Sequence, residues 1–314
     1  MKKSLGHSHQ RVLILAGSIA ALLAVQPAMA RTFTFDGGTS GTGAALDTAA
    51  NWLVDGQPTD TDEVLLDSSN ITLPPTMSTS TALSYGDLIV NPTGGANLAI
   101  SLNTAGSTSS TLTLSGNTYG DAAVTAGGAY DDLLLLGSNV TAGTVTIGGN
   151  SGGGTGALNV VLGVAGKIDV VNSGATLNIA SKISGGYALT KTGSGTLVLG
   201  GTNTYTGTTT VNGGVLSISS NANLGAVATG LVLNSGTLKA TSTFNLDNAG
   251  ANKRAISVTN AAIDVTSGNN LTVTGVISGS DLTKNGTGIL TLSNANTFTG
   301  GFRDQWRNRC DVRK

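Results

Sequence analysis

The chain has 314 residues, of which 46 are glycine, 11% are charged and 4% are aromatic. Ordinary globular chains carry about 25% charged residues, but 39% of this chain is apolar, which excludes a disordered polar chain. Eight of the 16 basic and 15 of the 17 acidic residues lie between Arg31 and Gly301, so this body has a charge near −7, which argues against a nucleic-acid partner.

Residues 1–30 have the organisation of a secretory signal peptide. Basic residues precede an apolar run over 12–25, and Ala28 and Ala30 form a small-x-small site with cleavage predicted before Arg31. The run is too short to span a bilayer of about 30 Å, which argues against a membrane anchor. We therefore predict a cleaved signal peptide and export through the inner membrane.

The body is rich in residues that favour strands and tight turns. Thr and Val favour strands, whereas Gly and Asn favour turns. Cys310 is the sole cysteine, so the body between Arg31 and Gly301 has no disulfide to stabilise it. A large repetitive core is the expected substitute.

Two segments of the body, 189–207 and 282–300, repeat one pattern at a constant offset of 93 residues. Apolar residues alternate within each copy, as in strands with one buried face. Such strands need neighbours to cover that face, and the tandem copies without long loops favour stacked coils over a sandwich. The aligned residues, predicted to have structural roles, are Leu189, Lys191, Gly193, Gly195, Leu197, Leu199, Asn203, Tyr205 and Gly207 in the first copy and Leu282, Lys284, Gly286, Gly288, Leu290, Leu292, Asn296, Phe298 and Gly300 in the second.

Within this set, Asn203 and Asn296 are predicted to form ladders of amides at turns, and Tyr205 and Phe298 to be stacked core aromatics. Lys191 is expected on the outer surface of its coil, as is its equivalent Lys284. The fold class predicted from these patterns is all-β, a right-handed parallel β-helix (β-solenoid) following the signal peptide.

Residues 189–218 resemble the autotransporter-associated β-strand repeat, also called the passenger-associated repeat. The match extends through Thr209, Val211, Gly214, Leu216 and Ile218. The start of the mature chain is also similar to the opening of such proteins, with Phe35 where Trp is usual. The resemblance implies a parallel β-helix passenger exposed at the cell surface and transfers no catalytic residues.

The predicted organisation has four parts: the signal peptide at 1–30, a β-rich cap or early solenoid at 31–130, a repeat-bearing solenoid at 131–301, and a tail at 302–314. The tail departs from the repeat and is rich in basic residues. Because its codons can encode the missing strand when read one nucleotide later, we interpret it as frameshifted, with a native basic cap as the alternative. The resemblance implies that a β-barrel or a sorting anchor follows in the complete protein.

Catalytic and metal-binding patterns are weak in the body. His7 and His9 both lie in the signal peptide, so the body has no histidine for a catalytic triad or a zinc site. The adjacent Asp131 and Asp132 superficially resemble a glycosidase acid pair, but adjacent strand residues point to opposite faces. We predict no enzyme activity and no cofactor.

Two further segments have competing interpretations. Asp60, Asp62 and Glu63 form an acidic cluster that is either a weak calcium site or a solvated loop. The glycine run at 148–154 has no following helix or lysine that would hold a phosphate, and we interpret it as a turn.

The sequence thus predicts a non-catalytic passenger or stalk at the cell surface, the outer membrane or outside the cell. Its expected role is adhesion, aggregation or cell-envelope structure. Its expected partners are outer-membrane translocation or anchoring machinery and a host-cell, matrix or polysaccharide surface. A polysaccharide-degrading β-helix enzyme and a non-functional gene remnant are the alternatives.

Overall fold

The computed structural model describes residues 32–34, 58, 62–66, 76–79, 81–91, 97–104, 109–116, 132–150, 156–246, 253–305 and 310–312. The predicted signal peptide and its cleavage site at Ala28, Ala30 and Arg31 lie outside the described residues. In the part of the chain that is described, no helix has the length and apolar character needed to cross a membrane.

The described chain consists almost entirely of short strands. The first fourteen are β1 (Thr32–Thr34), β2 (Glu63–Leu66), β3 (Thr76–Thr79), β4 (Leu83–Tyr85), β5 (Asp87–Val90), β6 (Asn97–Thr104), β7 (Ser110–Leu114), β8 (Asp132–Leu136), β9 (Ala142–Asn150), β10 (Leu158–Leu162), β11 (Gly166–Val170), β12 (Gly174–Ile179), β13 (Ile183–Ser184) and β14 (Leu189–Thr192). The others are β15 (Thr196–Leu199), β16 (Thr209–Val211), β17 (Val215–Ile218), β18 (Leu231–Asn234), β19 (Thr237–Ala240), β20 (Phe244–Asn245), β21 (Ile256–Thr259), β22 (Ala261–Val265), β23 (Asn270–Val273), β24 (Ile277–Gly279), β25 (Leu282–Asn285), β26 (Ile289–Leu292), β27 (Phe302–Asp304) and β28 (Cys310–Val312).

These strands stack into three faces, which the chain visits in a fixed cycle. Within the described residues, the first face is the ten-stranded sheet β1-β2-β5-β8-β11-β14-β16-β18-β21-β24. The second face is the ten-stranded sheet β3-β6-β9-β12-β15-β17-β19-β22-β25-β27. The third face holds the four-stranded sheets β4-β7-β10-β13 and β20-β23-β26-β28.

Every strand pair that joins two coils is parallel, for example β12 with β15 and β15 with β17. The prediction of an all-β parallel solenoid is therefore confirmed. A right-handed coil, the hand that parallel crossovers adopt in about 98% of cases, stays a prediction. Strands from both sides of the predicted boundary at 130/131 belong to the same sheets.

Aliphatic ladders fill the interior of the coils. On the second face, for example, Leu177, Leu197, Leu216 and Leu238 stack in register, and none is more than 1% exposed. Burying one such side chain contributes about 1.5–3 kcal/mol relative to leaving it in water. Each coil can obtain this stabilisation only from its neighbours, because one coil alone would leave its apolar ladder positions exposed.

The third face is interrupted between its two sheets. There, residues 203–206 take the place of a strand: the amide of Thr204 donates to the Ile183 carbonyl (2.8 Å) and that of Thr206 to the Gly185 carbonyl (3.1 Å). In the next coil this place is taken by a 3₁₀ turn, Asn221–Leu224. Ser220 caps the turn, since its hydroxyl accepts a hydrogen bond from the amide of Ala222 (3.2 Å).

The unusual tail contributes strands to the solenoid. β27 pairs in parallel with β25, and β28 pairs in parallel with β26. Residues 302–304 and 310–312 therefore continue the second and third faces in spite of their atypical sequence. The frameshift hypothesis concerns the gene and stays a prediction.

Candidate functional site: corners and outer faces of the solenoid

The apolar residues shared by the two repeats all point into the core. Alternation along the strands sends one residue inward and the next outward. The inward residues, each at most 1% exposed, are Leu189, Leu197, Leu199, Leu282, Leu290 and Leu292. These positions belong to the interior ladders and present nothing to a ligand.

Lys191 and Lys284 lie in the core as well, and the prediction that they occupy the coil surface is wrong. Both side chains are 0% exposed. Lys191 stacks between Ile168 and Val211 of the neighbouring coils. Its ammonium donates to the carbonyl oxygens of Thr192 (2.5 Å) and Gly193 (2.9 Å) at the corner that follows its own strand.

The second repeat builds the same corner. Lys284 Nζ donates to the carbonyl oxygens of Asn285 (2.7 Å) and Gly286 (2.8 Å). A charged donor on carbonyls satisfies the ammonium inside the solenoid, where an unbonded charge would be costly. The lysine stem thus replaces an aliphatic core residue, and its head fixes the turn.

A glycine in the left-handed region completes each corner. Gly193 has φ +73° and Gly286 has φ +70°, a conformation that other residues rarely adopt. A Cβ on Gly193 would collide with the Val170 carbonyl and the Asp169 carboxylate of the coil below. Gly195 donates its amide to the same Val170 carbonyl (2.8 Å), so this corner is also bonded to the preceding coil.

Burial sets the electrostatics of this corner. It lowers the pKa of Lys191 to about 8, while the nearby Asp169 opposes the shift. It also raises the pKa of Asp169, against the attraction of Lys191 and Lys167. The two groups stabilise each other's charged forms, which is what a buried cation and anion require.

The repeat asparagines bridge coils through their side chains. Asn203 Oδ1 accepts from the amide of Ile183 (2.7 Å) and its Nδ2 donates to the Asn223 carbonyl (2.5 Å). In the second repeat, Asn296 Oδ1 accepts from the amide of Ile277 (2.9 Å), but its Nδ2 donates within its own turn, to Asn294 O (2.8 Å). The prediction that Asn203 and Asn296 form ladders of amides is therefore wrong, because their side chains bind backbone groups instead.

The repeat aromatics are buried, with Tyr205 0% and Phe298 8% exposed. Tyr205 shares a hydrogen bond with Thr209 through their hydroxyls (2.7 Å), and burial raises its pKa to about 12. Phe298 lies against Phe302, with ring centroids 6.4 Å apart. Neither ring is a platform for a sugar.

The backbone of the neighbouring coil passes close to three further repeat glycines, so that a Cβ there would collide with it. They are Gly207, Gly288 and Gly300.

The equivalent segments of the two repeats lie on different faces. Lys191 is in β14 on the first face, whereas Lys284 is in β25 on the second. The segment with Tyr205 lies on the third face, and the segment with Phe298 continues the first face, since Thr297 donates its amide to the Ile277 carbonyl (2.9 Å). The second copy of the repeat is therefore shifted relative to the first by one face of the solenoid, in addition to a whole number of coils.

Sequence reasoning missed Arg254, the largest fully buried side chain among the residues that the structure describes. Its NH1 donates to the carbonyl (2.8 Å) and hydroxyl (2.7 Å) of Thr229 and to the Leu224 carbonyl (3.2 Å), and its Nε lies 3.4 Å from Asn221 Oδ1. This cluster binds the coil with the 3₁₀ turn to the next coil. In the sequence, Arg254 is marked only by its position two residues before Ile256, which alternation places on the inward side of the strand.

The other predicted site residues do not assemble in the described chain. Asp60 and Asp131 lie outside the described residues, as does the side chain of Glu63. Asp62 is buried, and Asp132 is buried 3.3 Å from Lys167 Nζ. Among the residues that the structure describes, no group of three His, Cys, Asp or Glu could hold a metal ion. Of the glycine run, residues 148–150 end β9 and 151–154 lie outside.

The outward residues of the first face form two parallel rows, which we call the neutral plate. In the first row, Thr190, Thr210, Val232, Ser257 and Ser278 are in register, and Thr297 continues them. The second row, two residues further along each strand, holds Thr192, Asn212, Asn234, Thr259, Ser280 and Thr299. None of these side chains is ionisable, whereas the second face carries the Lys239–Asp264 ion pair (3.7 Å).

This architecture, with stacked coils and corners fixed by buried polar groups, defines a structural repeat protein of the β-solenoid class. The family model for the passenger-associated-transport-repeat matches residues 189–218 and 282–303. The chain thus carries passenger-associated-transport-repeats in these two segments, as the sequence resemblance predicted.

A curated relative points the same way. The chain is 35% identical over 153 residues to the adhesin BmaC autotransporter of Brucella suis biovar 1 (strain 1330). The match covers 46% of this chain and 4% of that adhesin, so this chain corresponds to a small part of its relative. No solved structure matches the chain significantly.

Proposed function

We propose that the chain is a rod-forming part of an exported, non-catalytic, adhesin-like passenger. The observation that carries the proposal is the inward placement of the repeat residues. Leucines, lysine, asparagine and aromatic ring all serve to stack coils, so the repeats build a scaffold whose outer faces are left for contact. The similarity to an autotransporter adhesin supports the same role.

The proposed setting is the cell surface or the extracellular space. There the passenger would depend on a predicted signal peptide at residues 1–30 and on outer-membrane translocation or anchoring machinery. Its contact partner would be a host-cell, matrix or polysaccharide surface. Weak contacts along a rod add up, because each further contact becomes intramolecular once the first has formed.

An in-frame deletion tests this role. Residues 131–301 are removed from the native gene, and the strain is compared with its parent for attachment to host cells, matrix proteins and polysaccharide-coated surfaces. Attachment to at least one surface should fall several-fold, with the passenger still detected outside the cell by an antibody to a flanking tag. Undiminished attachment to all surfaces would contradict the proposal.

The non-catalytic part of the proposal has its own test. The purified chain is incubated with polygalacturonate and other polyuronates, and new reducing ends and unsaturated products are measured. No turnover is expected above that of a heat-unfolded sample. Measurable turnover would support the β-helix enzyme instead.

A further inference from the structure

The neutral plate offers hydrogen-bonding groups that the described chain does not use. The hydroxyls of Thr190, Thr210, Ser257 and Thr297 have no hydrogen-bond partner among the described residues, although the first three are half-buried. Each hydroxyl can donate one hydrogen bond and accept two. Because successive strands are about 4.8 Å apart, these hydroxyls recur at regular intervals along the rod.

A groove runs beside the plate at the start of the first-face strands. Its volume is about 430 Å³, within the range of ligand sites. Gly230, Ala255 and Val276, which precede successive strands, give it an apolar floor, and Val276 is 40% exposed. Ser257 and Ser278 of the plate give it a hydroxyl wall.

Gly230 lines the groove, and the position has room for a side chain. A Cβ at this position would have its nearest neighbour, Thr208 Cγ2, at 3.5 Å, which is ordinary van der Waals contact. Packing of the strand therefore does not require glycine here. A side chain at residue 230 would instead occupy the space between the floor and the wall.

We propose that the groove and the neutral plate together bind a neutral polysaccharide, lying along the rod axis. A sugar ring has an apolar C–H surface and hydroxyls at its edge, which match the apolar floor and the hydroxyl wall. The proposal of this ligand rests on the proposed adhesin-like role, and it specifies the class of surface that the rod contacts.

The charge pattern favours a neutral ligand. The rows of the plate begin directly above Lys167 and Asp169 and contain no charge over six successive strand positions. A charged polymer would lose hydration on these rows and find no counter-charge in return. Lys253, which also lines the groove, is one exposed cation beside a long uncharged surface.

Affinity electrophoresis of the purified full chain tests the inference. Gels contain a soluble neutral polysaccharide (β-glucan, xyloglucan, galactomannan or dextran) or polygalacturonate, at low and at high salt. At least one neutral polysaccharide should retard the chain, equally at both salt concentrations, because screening does not weaken uncharged contacts.

Two substitutions with matched controls locate the site. Gly230→Val fills the groove, and its control Gly186→Val adds the same side chain in open space on the third face. Thr259→Lys places a charge on the plate, and Thr144→Lys places it on the exposed second face. The first member of each pair should weaken binding several-fold, and each control should bind as the parent does.

Several outcomes would overturn the inference. In the gels, these are the absence of retardation by every neutral polysaccharide, or retardation by polygalacturonate alone. Among the variants, they are equal binding by all four, or unchanged binding by Gly230→Val together with an altered oligomeric state. Should Gly230→Val fail to fold by circular dichroism, the exposed Thr259→Lys decides the question. Loss of attachment in the deletion strain, with full attachment by Thr259→Lys, would refute this ligand and leave the adhesin-like role standing.

Discussion

Lys191 and Lys284 are equivalent residues of one repeat, yet the first lies on the first face of the solenoid and the second on the second face. The two corners are nevertheless built from the same bonds to the carbonyls of the next two residues. The structural unit is therefore one strand and its corner, not a whole coil. Because two different faces accept this unit, equivalent outward residues of the two repeats do not line one common surface.

The buried ammonium predicts an unusual pH dependence. The pKa of Lys191 falls from 10.5 to about 8 on folding, so the unfolded chain binds more protons between these values and stability rises with pH there. Parent and Lys191→Met are compared by urea unfolding at about pH 7 and about pH 10. The parent should gain up to about 3 kcal/mol relative to the variant.

The control for this titration is Lys239→Met, which removes a lysine whose side chain is 40% exposed. It should leave the pH slope of the parent unchanged. Tyr205 acts in the opposite sense at higher pH, because its pKa rises from 10.0 to about 12 on folding and stability falls across that interval. A Lys191→Met variant with the parent's slope between pH 8 and 10 would show that Lys191 is not the titrating group.

Removal of a coil-bridging amide should destabilise the fold. Asn203→Ala leaves the amide of Ile183 and the carbonyl of Asn223 without their side-chain partner in a buried site. We expect a loss of about 2–3 kcal/mol in the free energy of unfolding. The matched Asn212→Ala removes an exposed side chain bonded to Asn234 and should cost under about 1 kcal/mol. Equal urea midpoints for the two variants would refute the bridging role.

The glycine of the corner should not tolerate a methyl group. Gly193→Ala needs a left-handed backbone, which costs about 1–2 kcal/mol, and it collides with Val170 O and Asp169 Oδ1. Gly186→Ala meets nothing within 4 Å and should match or exceed the stability of the parent. Thermal melting followed by circular dichroism compares the two. A melting temperature for Gly193→Ala equal to that of Gly186→Ala would contradict this account.

Arg254 should be needed for the interrupted part of the third face. Arg254→Met keeps much of the side-chain volume but leaves the Thr229 and Leu224 carbonyls without their charged donor. The expected loss is about 3 kcal/mol, since hydrogen bonds to charged groups contribute about 1.5–3 kcal/mol each. Lys253→Met, at the exposed neighbouring position, should shift the urea midpoint little. A stable Arg254→Met with the parent's midpoint would show that the cluster is dispensable.

Alternation along the repeat strands was sufficient to predict the inward leucines and the stacking of coils. The same alternation places Lys191 on the side of Leu189, but the ordinary preference of lysine for water led to the wrong location. The outcome depended on carbonyls of Thr192 and Gly193 turned toward the ammonium, which only the folded corner provides. Arg254 could not be placed for a related reason, because its acceptors come from residues 221–229 of the previous coil.

The sequence by itself determined that this chain forms stacked parallel strands and carries passenger-type repeats, because period-two alternation and glycine turns are local and recur at a fixed offset. The tertiary structure alone decided which face each copy occupies, which polar side chains enter the core, and that an uncharged surface and a groove run along the first face. These features arise where residues from successive coils meet. The number of residues that separates such neighbours along the chain differs from coil to coil, so the sequence alone does not pair them.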